Sequence, residues 1–200
     1  MSRDDQPAPR AGQPSSWPKI LDRPTLSVTG EIDSQATRDF LDALRKAEDG
    51  EGDVALELTT LGGDAEMARR IVLEIGLARK RTGKRFLFLG KTVVYSAGVT
   101  VMSAFPREDR WLTEDAVLLI HCRQLDKSIE ISGPMRASLP ELDAVRAQIE
   151  NGLKLEERNF RRLIEGSDVG MTELCEKAVH NWYVDAEEAL KRGLIAGIVS

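Results

Sequence analysis

The chain has 200 residues, 42% hydrophobic and 30% charged, with a formal net charge of −5, a composition that fits one soluble globular domain with a sizeable core. That acidity, without any basic block, argues against nucleic-acid binding, and no apolar run approaches the roughly 20 residues that span a bilayer. The opening residues lack the apolar core of a secretory signal, and the two cysteines, Cys122 and Cys175, make neither a metal-ligand spacing nor a disulfide framework, so a cytoplasmic protein without metal or cofactor is expected.

Residues 1–22 are rich in Pro, Ser, Gln and charge and are expected to form a flexible tail. Order is expected from Thr25-Leu26-Ser27-Val28, a short β-type run that ends at Gly30. Phe40, Leu41 and Leu44 share one face of a helix predicted over about Ser34–Lys46. The polar segment Glu48–Asp53 leads to a second strand, Val54–Leu58, then to Thr60-Leu61-Gly62-Gly63-Asp64 and a helix whose buried stripe is Met67, Ile71, Ile75 and Ala78. Arg85–Leu89 is almost wholly apolar, as a strand covered on both faces should be. A short helix over about Ser96–Phe105 and a strand over Ala116–Ile120 complete an alternation that predicts an α/β fold with parallel strands.

Beyond Arg123 the pattern changes. Ser128-Ile129-Glu130-Ile131 alternates like a half-exposed strand, broken by Gly133-Pro134. A long amphipathic helix over about Pro140–Ile164 is expected to project from the core and pack on a partner subunit; the alternative is a helix folded back over its own sheet. The last helix opens at Asp185-Ala186-Glu187-Glu188 with Asp185 as its cap, and Leu194–Val199 reads as a short closing strand.

Three positions are candidates for chemistry. Gly62-Gly63, at a strand-to-helix junction, either makes a tight turn or offers bare backbone donors to an oxyanion. Ser96, in Tyr95-Ser96-Ala97-Gly98, is either a helix N-cap or a nucleophile, with small neighbours that admit a substrate and with the Ala97 N–H aimed at it. His121 ends a strand and His180 is the only other histidine, so a histidine-dependent mechanism has two candidates.

Gly63, Ser96 and His121 fall at the C-terminal ends of successive strands, where open α/β sheets place ligands. Their order, with 25 positions from Ser96 to His121, resembles the proteolytic subunit of the Clp protease. Val28–Ile32 is similar to that family's first strand and turn, and Ala186–Ile195 to its closing helix and strand, so the resemblance spans about residues 25–200. It implies a fold of Clp-protease and crotonase type, built of repeated β-β-α units, over residues 23–200, with a helical handle at about 123–165. It also implies a homo-oligomeric ring that hydrolyses peptides or unfolded proteins. The chain has no Gly-rich, Lys-containing ATP motif of its own, so ATP dependence would come through a separate unfoldase. In the implied mechanism Ser96 is the nucleophile, His121 is general base and then acid, and the Gly63 and Ala97 N–H groups hold the oxyanion.

The departures from the family are specific. Leu61 stands where a proline precedes the Gly pair, and Tyr95 replaces a small residue beside the nucleophile, where it would narrow or reshape the substrate site. Cys122-Arg123 replaces the usual Gln-Pro after the histidine, and the handle stretch is roughly ten residues longer than usual. The family's third triad member, an aspartate, falls on Asn181, whose amide oxygen would accept the His121 Nδ1–H without adding charge. Glu176 and Asp185 are the acids nearby. Asn181 and Tyr95 favour an alternative, a non-catalytic subunit in mixed rings with an active paralogue. A crotonase-type enzyme acting on acyl-coenzyme A thioesters is a second.

Overall fold

The computed structural model describes residues 17–200 except Asp126 and the side chain of Ala137. Of the tail expected over 1–22, residues 1–16 lie outside the described residues. The other six are not tail: Lys19–Asp22 is a 3-10 turn that buries Leu21 and packs Trp17 and Ile20 against one face of the sheet. Apolar residues within a polar stretch gave the segment something to bury.

Strand β1 (Leu26–Thr29) leads to helix α1 (Ser34–Asp49), whose first turn is capped by Asp33 through Ala36 N at 2.7 Å. Strand β2 (Val54–Thr60) follows, then helix α2 (Ala65–Thr82). Asp64 caps α2 by accepting from Glu66 N and Met67 N, and left-handed Gly83 ends it. Strand β3 (Phe86–Tyr95) is twice the length expected, because the chain kinks at Thr92 (φ 57°) and then resumes as strand. Next come the short helix α3 (Ala97–Met102) and strands β4 (Arg110–Thr113) and β5 (Val117–Ile120).

The kink lets β3 change neighbours. Its first half pairs with β4 and its second half with β5, all in parallel. Strands β1, β2, β3 and β4 therefore form a parallel sheet, and β5 branches from the end of β3. Helices cover the face that carries Phe86, Phe88 and Val94, while Leu87, Leu89 and Trp111 meet the Trp17–Leu21 segment on the other.

Helix α4 runs over Met135–Ile164, five residues earlier than expected, so Pro140 sits inside its second turn. Pro140 lies past the first turn, so it removes the bond that an N–H there would donate to Arg136 O, close to the exposed start of the helix. Only its last turns, through Phe160 and Leu163, reach the core, and no residue with a described side chain from 135 to 159 is buried. The helix projects and does not fold back over the sheet. The strand expected at Ser128–Ile131 is not formed: the segment is irregular and exposed, and among the described residues no strand pairs with it.

Four elements complete the chain. Helix α5 (Met171–Val179) and strand β6 (Trp182–Asp185) precede helix α6 (Ala186–Lys191) and strand β7 (Gly197–Val199). Strand β6 runs antiparallel to β5, and β7 pairs in parallel with β4. Asp185 caps α6, accepting from Glu188 N at 2.8 Å.

Candidate active site

Strands β2, β3 and β5 lie side by side and parallel, so their C-terminal ends meet along one edge. Gly62-Gly63 follows the first, Ser96 the second and His121 the third. The sheet therefore brings together residues that are up to about sixty positions apart in the chain.

Ser96 has φ 55° and ψ −112°, a conformation L-residues rarely adopt. Its N–H donates to Leu119 O at 2.9 Å, which ties the turn to β5, while its hydroxyl makes no helix-capping bond. A capping serine sits in extended backbone and bonds the N–H groups of the next turn; Ser96 does neither. Its geometry is that of a sharp strand-to-helix turn that presents a side chain at the sheet edge.

Gly62 is pressed close against it. A Cβ at Gly62 (φ 118°) would lie 2.9 Å from Ser96 Cβ and 3.4 Å from Ser96 Oγ, so only glycine fits. The Thr60 hydroxyl fixes this turn, accepting from Gly62 N at 2.9 Å and donating to Gly62 O at 3.1 Å. At Gly63 (φ 140°) a side chain would collide with the Ile32 backbone. Ile32 bonds both neighbours of Gly63, through Gly62 O at 2.8 Å and Asp64 N at 2.7 Å. Among the described residues neither Gly63 N–H nor Ala97 N–H donates a hydrogen bond. Gly98 has a different role from the one its position suggests. It is buried, and a Cβ there would strike Thr60, so it lets α3 pack on β2 and does not admit a substrate.

Ser96 and His121 line one pocket with Ile120, Asn159, Phe160 and Leu163, and at about 30 Å³ it has room for a water molecule or two. His121 Nδ1 is 2.7 Å from Cys122 O. A carbonyl only accepts, so this contact places the proton on Nδ1 and leaves the Nε2 lone pair free. His180 is exposed at the C-terminus of α5 and does not line the pocket.

The expected contact between Asn181 and His121 Nδ1 is not made, because the Cys122 carbonyl occupies that nitrogen. Asn181 nevertheless follows His121 in register: Ile120 pairs with Trp182, and His121 and Asn181 are the next residues out. At φ 61° Asn181 turns the chain away there and leaves its side chain exposed. Neither acid replaces it, since Asp185 is a helix cap and Glu176 is exposed on α5. Tyr95 does not narrow the Ser96 pocket. It packs edge-on against Tyr183, with ring centroids 5.8 Å apart at 83°.

Sequence reasoning missed Gly62 as the close neighbour of Ser96, and it missed Cys122 as the group that orients the histidine. The first was legible in the Gly pair. The second is a main-chain contact, with no side-chain signature.

Comparison with known proteins adds the fold. No protein-family model matches the chain, and no curated protein does. Among solved structures it is similar to an asparagine-to-aspartate mutant of ClpP1 from Listeria monocytogenes, with a TM-score of 0.69 at 18% identity, over 91% of this chain and 94% of that one. The chain has a Clp-protease-like fold. In such a fold Phe160 and Leu163 close the Ser96 pocket from the base of the projecting helix. Among the described residues no helix is long and apolar enough to cross a membrane.

Proposed function

We propose that the chain is a Clp-type serine endopeptidase subunit that cleaves peptides through an acyl-enzyme on Ser96. The observation that carries the reading is the strained turn of Ser96, which shares a pocket with His121 and has Gly62 pressed against it. Ser96 Oγ attacks the peptide carbonyl carbon, and His121 Nε2 takes the hydroxyl proton. The oxyanion is held by the Gly63 and Ala97 N–H groups, which are free to donate. As the C–N bond breaks, His121 returns the proton to the leaving amine, and water then releases the acyl group by the same route. The Cys122 carbonyl supports this assignment by keeping the proton on Nδ1. Asn181 serves as a second acceptor, reached when the ring turns away from that carbonyl. Subunits assemble into rings through the projecting α4, and an ATP-driven unfoldase supplies substrate.

The test is labelling with a fluorophosphonate, whose phosphorus is attacked by Oγ with loss of fluoride. We expect an adduct on Ser96 that disappears in His121→Ala. Absence of the adduct would favour the second reading, a non-catalytic subunit in mixed rings, for which the small pocket and the unmade Asn181 contact speak.

A further inference from the structure

A groove of about 580 Å³ runs between α2 and α4, and its charge is opposite to that of the chain. Arg69, Arg70, Lys80, Arg158 and Arg162 line it, with Glu66 as its only carboxylate, in a protein of net charge −5. Arg70 is paired with Glu74 at 2.7 Å and Arg69 with Glu66. Among the described residues Lys80, Arg158 and Arg162 have no ion pair and no side-chain hydrogen bond. Leu73 and Leu77, one turn apart on α2, give the groove an apolar wall.

The groove adjoins the Ser96 pocket, since Asn159 lines both. Glu66 lies at the start of α2, three residues beyond Gly63, and bridges Arg69 on its own helix to Arg123, two residues beyond His121. Burial pushes the Glu66 carboxyl up, but Arg123 and Arg69 outweigh it and hold the group below its usual range. The groove's one carboxylate thus already holds a cation of the α2 wall, Arg69, and ties it to Arg123 beside the groove.

We propose that this groove selects acidic side chains of a peptide substrate flanking the bond presented to Ser96, with Glu66 competing for Arg69 from within the chain. The inference rests on the reading of Ser96 and His121 as acyl-transfer groups. An acidic peptide is the favoured occupant because uncommitted cations lie beside an apolar wall, which suits carboxylates interspersed with aliphatic side chains. The chain's overall acidity disfavours a nucleic acid, whose affinity depends on neutralising many phosphates.

Binding of fluorescent peptides to the Ser96→Ala chain, followed by anisotropy, tests this without turnover. The peptides are of one length and aliphatic content and carry Glu, Gln or Lys at the same positions. The Glu peptide should bind about three- to fivefold more tightly per acidic residue than the Gln peptide, and the Lys peptide most weakly. The preference should shrink between about 50 and about 500 mM salt. The double variant Arg158→Gln, Arg162→Gln should abolish it while leaving Gln-peptide binding unchanged, and Glu66→Gln should strengthen Glu-peptide binding. Equal affinity for all three peptides overturns the proposal. So does a change in sedimentation of the double variant, which would make the groove an interface between copies of the chain. Fluorophosphonate labelling of the unmodified protein separates the two readings. A labelled Ser96 without charge preference sinks only the groove, and a charge preference without labelling leaves the groove and sinks the acyl-transfer reading.

Discussion

His121 has two possible acceptors for its Nδ1–H, and the structure uses the main-chain one, Cys122 O at 2.7 Å. A carbonyl and an amide both fix the tautomer, and neither adds the negative charge that stabilises an imidazolium. Asn181→Asp would supply that charge one step beyond the last β5–β6 pair. The rate of Ser96 labelling should rise at least about tenfold, short of the ~10⁴ that separates Asp from Asn in a chymotrypsin-type triad, because the carbonyl competes for the proton. Asn181→Ala should slow labelling by only about two- to fivefold, since Nδ1 keeps a partner. An unchanged rate in Asn181→Ala would assign ring orientation to the carbonyl alone, and an unchanged rate in Asn181→Asp would remove Asn181 from the mechanism.

At the scale of elements, the parts of the fold that were legible are those whose pattern is local. Helices α1 and α2 announce themselves by apolar spacing, and α6 by its capping box. Strand β4 was not legible, because Arg110-Trp111-Leu112-Thr113 opens on a charged residue that reads as loop. Arg110 is nonetheless buried, and burial lowers its guanidinium to about 10, so it stays charged at neutral pH. Its donors are satisfied by carbonyls, Phe105 O at 2.8 Å nearby and Leu163 O at 2.6 Å and Arg162 O at 2.8 Å from the distant end of α4. No single-sequence pattern shows acceptors some fifty positions away. The second half of β3 was hidden for a related reason, since the kink at Thr92 serves a change of partner strand. Arg110 anchors the C-terminal turns of α4, and hence the Phe160 and Leu163 wall of the Ser96 pocket. Arg110→Met should leave those carbonyls buried without donors and lower the unfolding free energy by at least about 3 kcal/mol. A urea titration reads this directly, and a loss under about 1 kcal/mol would show that the end of α4 is held by packing alone.

For the whole molecule the outstanding feature is α4, thirty residues long and anchored only at its C-terminal end. Met135, Leu139, Leu142, Ile149 and Leu153 are all exposed, and their spacing places them along one stripe of the helix. The irregular segment before it adds Leu125, Ile129 and Ile131 to the exposed aliphatic surface. Helices in proteins draw most of their stability from packing an amphipathic face, and a contiguous apolar stripe marks an interaction surface. Complete burial of each large side chain is worth roughly 1.5–3 kcal/mol, so the five on the helix together can offset an association cost of about 4–15 kcal/mol. Antiparallel packing of α4 from two copies would cover the stripe with itself. Sedimentation velocity at micromolar concentration should therefore show an oligomer. The double variant Leu139→Glu, Leu153→Glu should fall to smaller species while keeping the far-ultraviolet signal of the core. It places like charges on both sides of the contact and touches no buried residue. A strict monomer in the unmodified protein, or an oligomer indifferent to both glutamates, would mean that the stripe faces something other than a second copy of this chain.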